Sequence, residues 1–80
     1  MKPSTQLNVT IINPTQVIFN GQAASVTLPG ELGVFEVLPF HKRMMTRLLK
    51  GSVDVDGRLF EIMRGAVKID RNEVTIVLEQ

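Results

Sequence analysis

Apolar and polar residues alternate along most of this chain, and the alternation is broken at regular intervals by turn-forming pairs. Leu7, Val9 and Ile11 alternate with Asn8 and Thr10, which predicts a first strand ending at Asn13-Pro14. A two-residue period of this kind places one set of side chains on a buried face and the other in solvent. Val17 and Phe19 lead into Asn20-Gly21, a pair that favours the positive φ of a two-residue hairpin. Such a hairpin would pair Phe19 with Gln22 and Val17 with Ala24, placing Val17, Phe19, Ala24, Val26 and Leu28 on one face.

Two further turns make the same kind of prediction. Asp56-Gly57 would pair Val55 with Arg58 and Val53 with Phe60, so that Val53, Val55, Phe60 and Ile62 share a face opposite Asp54 and Glu61. The loop Asp70-Arg71-Asn72-Glu73 would pair Ile69 with Val74 and Val67 with Ile76, with Leu78 continuing that face. Turn and hydrophobic pattern agree on register in each case, as a half-buried sheet requires. The prediction is an all-β chain: a small β-sandwich of about 8–10 short antiparallel strands. Residues 1–80 read as a single domain, with 1–6 a flexible lead. One segment reads two ways. Met44, Met45, Leu48 and Leu49 have helical spacing, but residues 43–50 are short enough for a bulged strand as well.

Composition narrows the function classes. The chain has 80 residues, of which 44% are hydrophobic and 21% charged, and its net charge is +1. A nucleic-acid module would show a clustered basic face, and none is expected here. A domain of this size buries only about 60% of its unfolded surface. There is no cysteine to staple it or to hold a metal by thiolate. No apolar run reaches the ~20 residues of a membrane-spanning helix, and no signal-peptide core follows Met1.

Candidate chemistry is sparse. His41 is the only histidine, and with no second nitrogen or sulfur ligand nearby its expected role is to hydrogen-bond a loop. Asp56 is accounted for by its turn and Asp54 by the solvent face. Ser4, Ser25 and Ser52 have no base placed beside them. Gly30-Glu31-Leu32-Gly33 lacks the Lys-Ser/Thr ending of a phosphate loop and reads as a turn between strands. No catalytic residue, cofactor or metal site is expected. The residues alone leave open a free-standing sandwich that binds a carbohydrate or peptide, although a sugar site usually presents exposed aromatics and this chain has four Phe and no Trp or Tyr.

The stretch Val26–His41 resembles the signature of the epsilon subunit of F-type ATP synthases, roughly V-x-x-P-G-x-E-G-D-F-G-V-L-P-G-H. Pro29, Gly30, Gly33, Phe35, Val37, Leu38, Pro39 and His41 match it without a gap. Pro14 and Phe19 fit the family's opening, Leu48 and Gly51 the motif after the histidine, and Gly65, Val67, Ile69, Val74, Ile76 and Leu78 its closing strands. Glu36 and Phe40 stand where the family usually has glycine, Lys42-Arg43 where it has Ala-Pro, Lys50 where it has proline, and Arg64 where it has another glycine.

The resemblance implies a non-catalytic sandwich at the foot of a rotor, packed on the gamma subunit and resting on the ring of c subunits. There it would couple ion-driven rotation to ATP synthesis. It implies contact with the c ring and the base of gamma through Leu32, Gly33, Val34, Glu36, Phe40, His41 and Lys42, and with gamma through Asn13 and Pro14. It also implies membrane contact only through the complex, on the cytoplasmic face of a bacterial plasma membrane. The family's two-helix C-terminal domain, linked to inhibition of ATP hydrolysis and in some members to ATP binding, has no counterpart after Glu79-Gln80, so neither property is expected.

Overall fold

β-Branched residues and leucines at every second position build a ladder of short strands. The computed structural model describes residues 6–79, in which nine strands follow one another: β1 (Leu7–Ile12), β2 (Val17–Ala23), β3 (Val26–Gly30), β4 (Gly33–Val37), β5 (Met44–Leu48), β6 (Gly51–Val55), β7 (Arg58–Ile62), β8 (Gly65–Asp70) and β9 (Glu73–Leu78). Hydrogen bonding runs in the order β2-β1-β9-β8-β5-β3-β6-β7, with β4 paired to the other edge of β3. The all-β expectation holds. Of the flexible lead expected over 1–6, residues 1–5 lie outside the described residues, and Gln6 is exposed.

The sheet folds over on itself at β5 and β6. Leu48 pairs with Gly30 before the break at Leu49-Lys50, and Asp54 and Val55 pair with Thr27 and Val26 after it. At the break the Leu49 amide donates to the Pro29 carbonyl at 2.8 Å. A β-carbon on Gly51 would lie 3.0 Å from the Pro29 ring, so glycine lets the kinked strand cross the proline. One chain segment thereby serves two layers, β5 beside β8 and β6 beside β7. Between the layers lies one core, whose fully buried members include Leu7, Ile11, Leu28, Leu48, Ile69 and Ile76. No polar side chain is buried with them among the described residues.

The strands at the two ends of the hydrogen-bonded path meet through side chains. Phe19 on β2 and Phe60 on β7 lie 5.5 Å apart, centroid to centroid, at 59°. This is the tilted geometry aromatic pairs favour. The Arg58 guanidinium sits 5.7 Å and 6.0 Å from the two rings and caps the seam. Beside it, the Asp56 carboxylate accepts from the amides of Ala24 (3.1 and 2.9 Å to its two oxygens) and Ser25 (3.0 Å), tying the β6–β7 turn to the bend after β2.

Two hairpin predictions match the structure residue for residue. Asp56 (φ 49°) and Gly57 (φ 90°) form the β6–β7 turn, with Val55 opposite Arg58 and Val53 opposite Phe60. Arg71 (φ 53°) and Asn72 (φ 63°) form the β8–β9 turn, with Ile69 opposite Val74 and Val67 opposite Ile76. The hairpin at Asn20-Gly21 does not form. Both residues lie inside β2, opposite Thr10 and Val9 of β1, and neither has positive φ. The glycine answers a packing need instead, because a β-carbon there would come within 3.1 Å of the Phe19 ring. Its loss as a turn shifts the face: Val17 and Ala24 are exposed, while Ala23, Val26 and Leu28 are buried.

Within residues 43–50, Met44–Leu48 form a strand. β5 satisfies its backbone against β8, from Met44 opposite Ile69 to Leu48 opposite Gly65, which outweighs a helix too short to stand alone. The strands are not all antiparallel either, since β1 runs parallel to β9, with Val9 opposite Val74 and Ile11 opposite Ile76.

Candidate docking end

The β3–β4 turn, the loop between β4 and β5, and the start of β5 come together at one end of the sandwich. Gly30 and Gly33 close the β3–β4 hairpin around Glu31-Leu32. Gly30 is required by contact, since a β-carbon would fall 2.6 Å from the Phe35 ring, and Gly33 by conformation, at φ 121°. This tight hairpin thrusts its tip into solvent: Leu32 is fully exposed and Val34 is 74% exposed. The tip thus presents apolar side chains to solvent.

Leu32, Gly33, Val34, Glu36, His41 and Lys42 line one cleft of about 300 Å³, with Met44 and Thr46 of β5 also contributing to its wall. The structure thus brings six of the seven loop positions inferred from the sequence around a single feature. The seventh, Phe40, does not line the cleft but is 71% exposed beside it, as is half of Leu38.

The loop is held from within and from below. The His41 amide donates to the Leu38 carbonyl at 3.1 Å. His41 Nδ1 lies 2.7 Å from the Lys42 carbonyl oxygen, which can only accept, so Nδ1 carries the proton. The histidine is therefore a loop brace. Arg43 pairs with Asp70 at 3.4 Å, and the Phe40 amide donates to Asn72 Oδ1 at 2.6 Å. Asn72 was not among the residues singled out in the sequence. An asparagine in a polar loop reads only as a turn former, and its reach to Phe40 spans 32 positions.

Asn13 and Pro14 lie apart from this cleft, in the β1–β2 turn. The Asn13 side-chain oxygen accepts from the amides of Thr15 (3.0 Å) and Gln16 (2.9 Å) and from the Thr15 hydroxyl (3.2 Å), and its own amide donates to the Gln16 carbonyl. Its acceptor is spent on shaping the turn. Pro14 is exposed.

Among the described residues no group of three His, Asp or Glu side chains is placed to hold a metal ion. Among the same residues no helix is long and apolar enough to cross a membrane. Phe19, Phe35 and Phe60 pack against the core, leaving Phe40 as the one exposed aromatic, a poor platform for a sugar.

Residues 6–80 match the family model described as ATP synthase, Delta/Epsilon chain, beta-sandwich domain. The chain is 36% identical over 80 residues to the ATP synthase epsilon chain of Sulfurimonas denitrificans, an alignment covering 94% of this chain and 62% of that one. It is also 36% identical over 78 residues to the epsilon chain of a Nitratiruptor species, covering 91% and 60%. It thus spans somewhat less than two thirds of the length of these relatives. Among solved structures, a chain of the Euglena gracilis mitochondrial ATP synthase superposes over all of this chain and 54% of its own length, with a TM-score of 0.85 at 20% identity. A chain from the central stalk and c-ring structure of the Tetrahymena thermophila enzyme gives 0.80 at 15%, covering all of this chain and 67% of that one. At such identities the structural likeness speaks for the fold.

Proposed function

We propose, since the chain belongs to the ATP synthase delta/epsilon β-sandwich family, that it is a non-catalytic subunit of the rotor stalk, docking on the gamma subunit and the c ring. In that place it transmits the rotation of an ion-driven ring to gamma. It is held at the membrane by the complex, on the cytoplasmic face of a bacterial plasma membrane. The observation that carries the reading is the end formed by Leu32, Val34, Phe40 and Lys42. It exposes apolar side chains on a tightly hydrogen-bonded support. A coupling element has to be stiff and adherent, and a sandwich with a continuous apolar core and clasped turns meets both needs. The β1–β2 turn at Asn13 and Pro14 is assigned to gamma on the same family grounds.

The test is co-expression with gamma and c ring from the same source, followed by gel filtration. Co-elution is expected. Val34→Asp places a charge on a side chain that is 74% exposed, so it should weaken complex formation while leaving the thermal midpoint of the isolated chain nearly unchanged. Separate elution of the wild-type chain at micromolar concentration would defeat the proposal. Unfolding of the variant would mean that Val34 belongs to the core.

A further inference from the structure

Phe40 is a bulky residue in a conformation that bulky residues avoid. Its φ is 68°, in the left-handed region, where a side chain crowds its own carbonyl. Nothing in the core repays this, because the ring is 71% exposed. An outlier of this sort persists only where its surroundings over-determine it, and such positions concentrate at ligand clamps and contact sites.

The surroundings can be named. Asn72 Oδ1 takes the Phe40 amide at 2.6 Å, while the Asn72 carbonyl takes the Asn8 amide at 2.8 Å. Asn72 itself sits at φ 63° in the β8–β9 turn, a conformation asparagine tolerates. One turn residue thus ties the loop carrying Phe40 to β1. The Arg43–Asp70 pair holds the far side of the loop to the end of β8. Of the two cations in the loop, Arg43 is engaged and Lys42 makes no ion pair among the described residues.

Resting on the docking end described above, we infer that Asn72 is a positioning residue which holds Phe40 in its left-handed conformation, so that the ring enters an apolar seat on a partner protein, with Lys42 meeting a carboxylate at its rim. The exposed ring and Leu38 beside it fit such a seat, and the uncompensated Lys42 gives it a sign. The loop sacrifices some stability of the free chain, and docking returns it.

The test reads stability and affinity together, using a gamma–c-ring assembly prepared without this subunit. Phe40→Gly relieves the backbone and removes the ring. It should leave the isolated chain at least as stable as wild type, yet bind roughly tenfold or more weakly, as truncation of an anchoring aromatic does. Phe40→Ala should bind as weakly and be the less stable of the two. Asn72→Gly keeps the turn conformation but removes the acceptor. It should weaken binding several-fold and speed hydrogen exchange at the Phe40 amide. If Phe40→Gly binds as well as wild type, the ring is no anchor and the inference falls. If Asn72→Gly leaves both binding and exchange unchanged, Asn72 positions nothing. Binding of wild type to anionic vesicles, lost in these variants while assembly binding is kept, would show that the ring meets lipid and would overturn the protein seat. A wild-type chain that does not bind the assembly at all would refute the docking function itself, a result distinct from the other three.

Discussion

Replacing Asp56 should separate two stabilising effects that the wild-type residue combines. Its carboxylate accepts from two backbone amides, Ala24 and Ser25, at 2.9–3.1 Å, and its backbone sits at φ 49°. Hydrogen bonds to a charged group contribute about 1.5–3 kcal/mol when dry, and less where water can replace them. Ala24 and Asp56 are exposed and Ser25 half-buried, so about 1 kcal/mol per donor is reasonable, or about 2 kcal/mol for both. Holding an alanine in the left-handed region adds about 1 kcal/mol. Asp56→Ala should therefore cost about 3 kcal/mol, Asp56→Gly about 2, and Asp56→Asn about 1, since asparagine keeps one acceptor and tolerates the backbone. Urea denaturation followed by circular dichroism would give the three values. In a domain of this size each kcal/mol also moves the thermal midpoint by about 4–8 °C. Asp56→Gly as stable as wild type would mean that the clasp to the Ala24-Ser25 bend contributes nothing. Asp56→Ala equal to Asp56→Gly would remove the backbone part of the reasoning.

Two further substitutions probe the fold where the docking end does not reach. Gly65→Ala would put a β-carbon 2.5 Å from the Val77 carbonyl oxygen and 3.0 Å from Leu78 Cδ2. Because the nearer obstacle is backbone, β8 and β9 must part, and a loss of about 1–3 kcal/mol is expected by thermal denaturation. Phe60→Ala opens the aromatic seam and leaves Arg58 only the Phe19 ring. About 2–3 kcal/mol should be lost, below the range for a fully buried phenylalanine because Phe60 is only half-buried, and no loss in the same assay would mean that the seam does not hold the two layers.

The parts of the fold legible in the sequence are those in which neighbours along the chain are neighbours in space. Asp56-Gly57 and Arg71-Asn72 each close on strands directly beside them, so turn chemistry and hydrophobic period were enough to give the register. Asn20-Gly21 carries the same local signal, yet β1 offers it backbone partners in Thr10 and Val9, and the glycine serves the Phe19 ring. The helix-or-strand ambiguity at Met44–Leu48 is of the same origin, because only β8, about twenty residues on, decides it. Parallel pairing of β1 with β9 leaves no local trace at all. At the proposed docking end, Leu32, Val34 and Lys42 are inferred from a resemblance, not from the local pattern. Asn72 was missed because its second role depends on a loop folding back over it.

The parallel pairing of β1 with β9 also bears on how the chain comes to be folded. β1 leaves the ribosome well before its partner β9, which at about 5–20 residues per second follows only after several seconds. Until then β1 has β2 alone, and Leu7, Val9 and Ile11, all buried in the finished fold, are left with an uncovered edge. Contacts this distant in sequence make folding slow. A nascent chain stalled before Glu73 would carry a hairpin seeking another strand, and its natural hazard is a neighbouring nascent chain in the same condition.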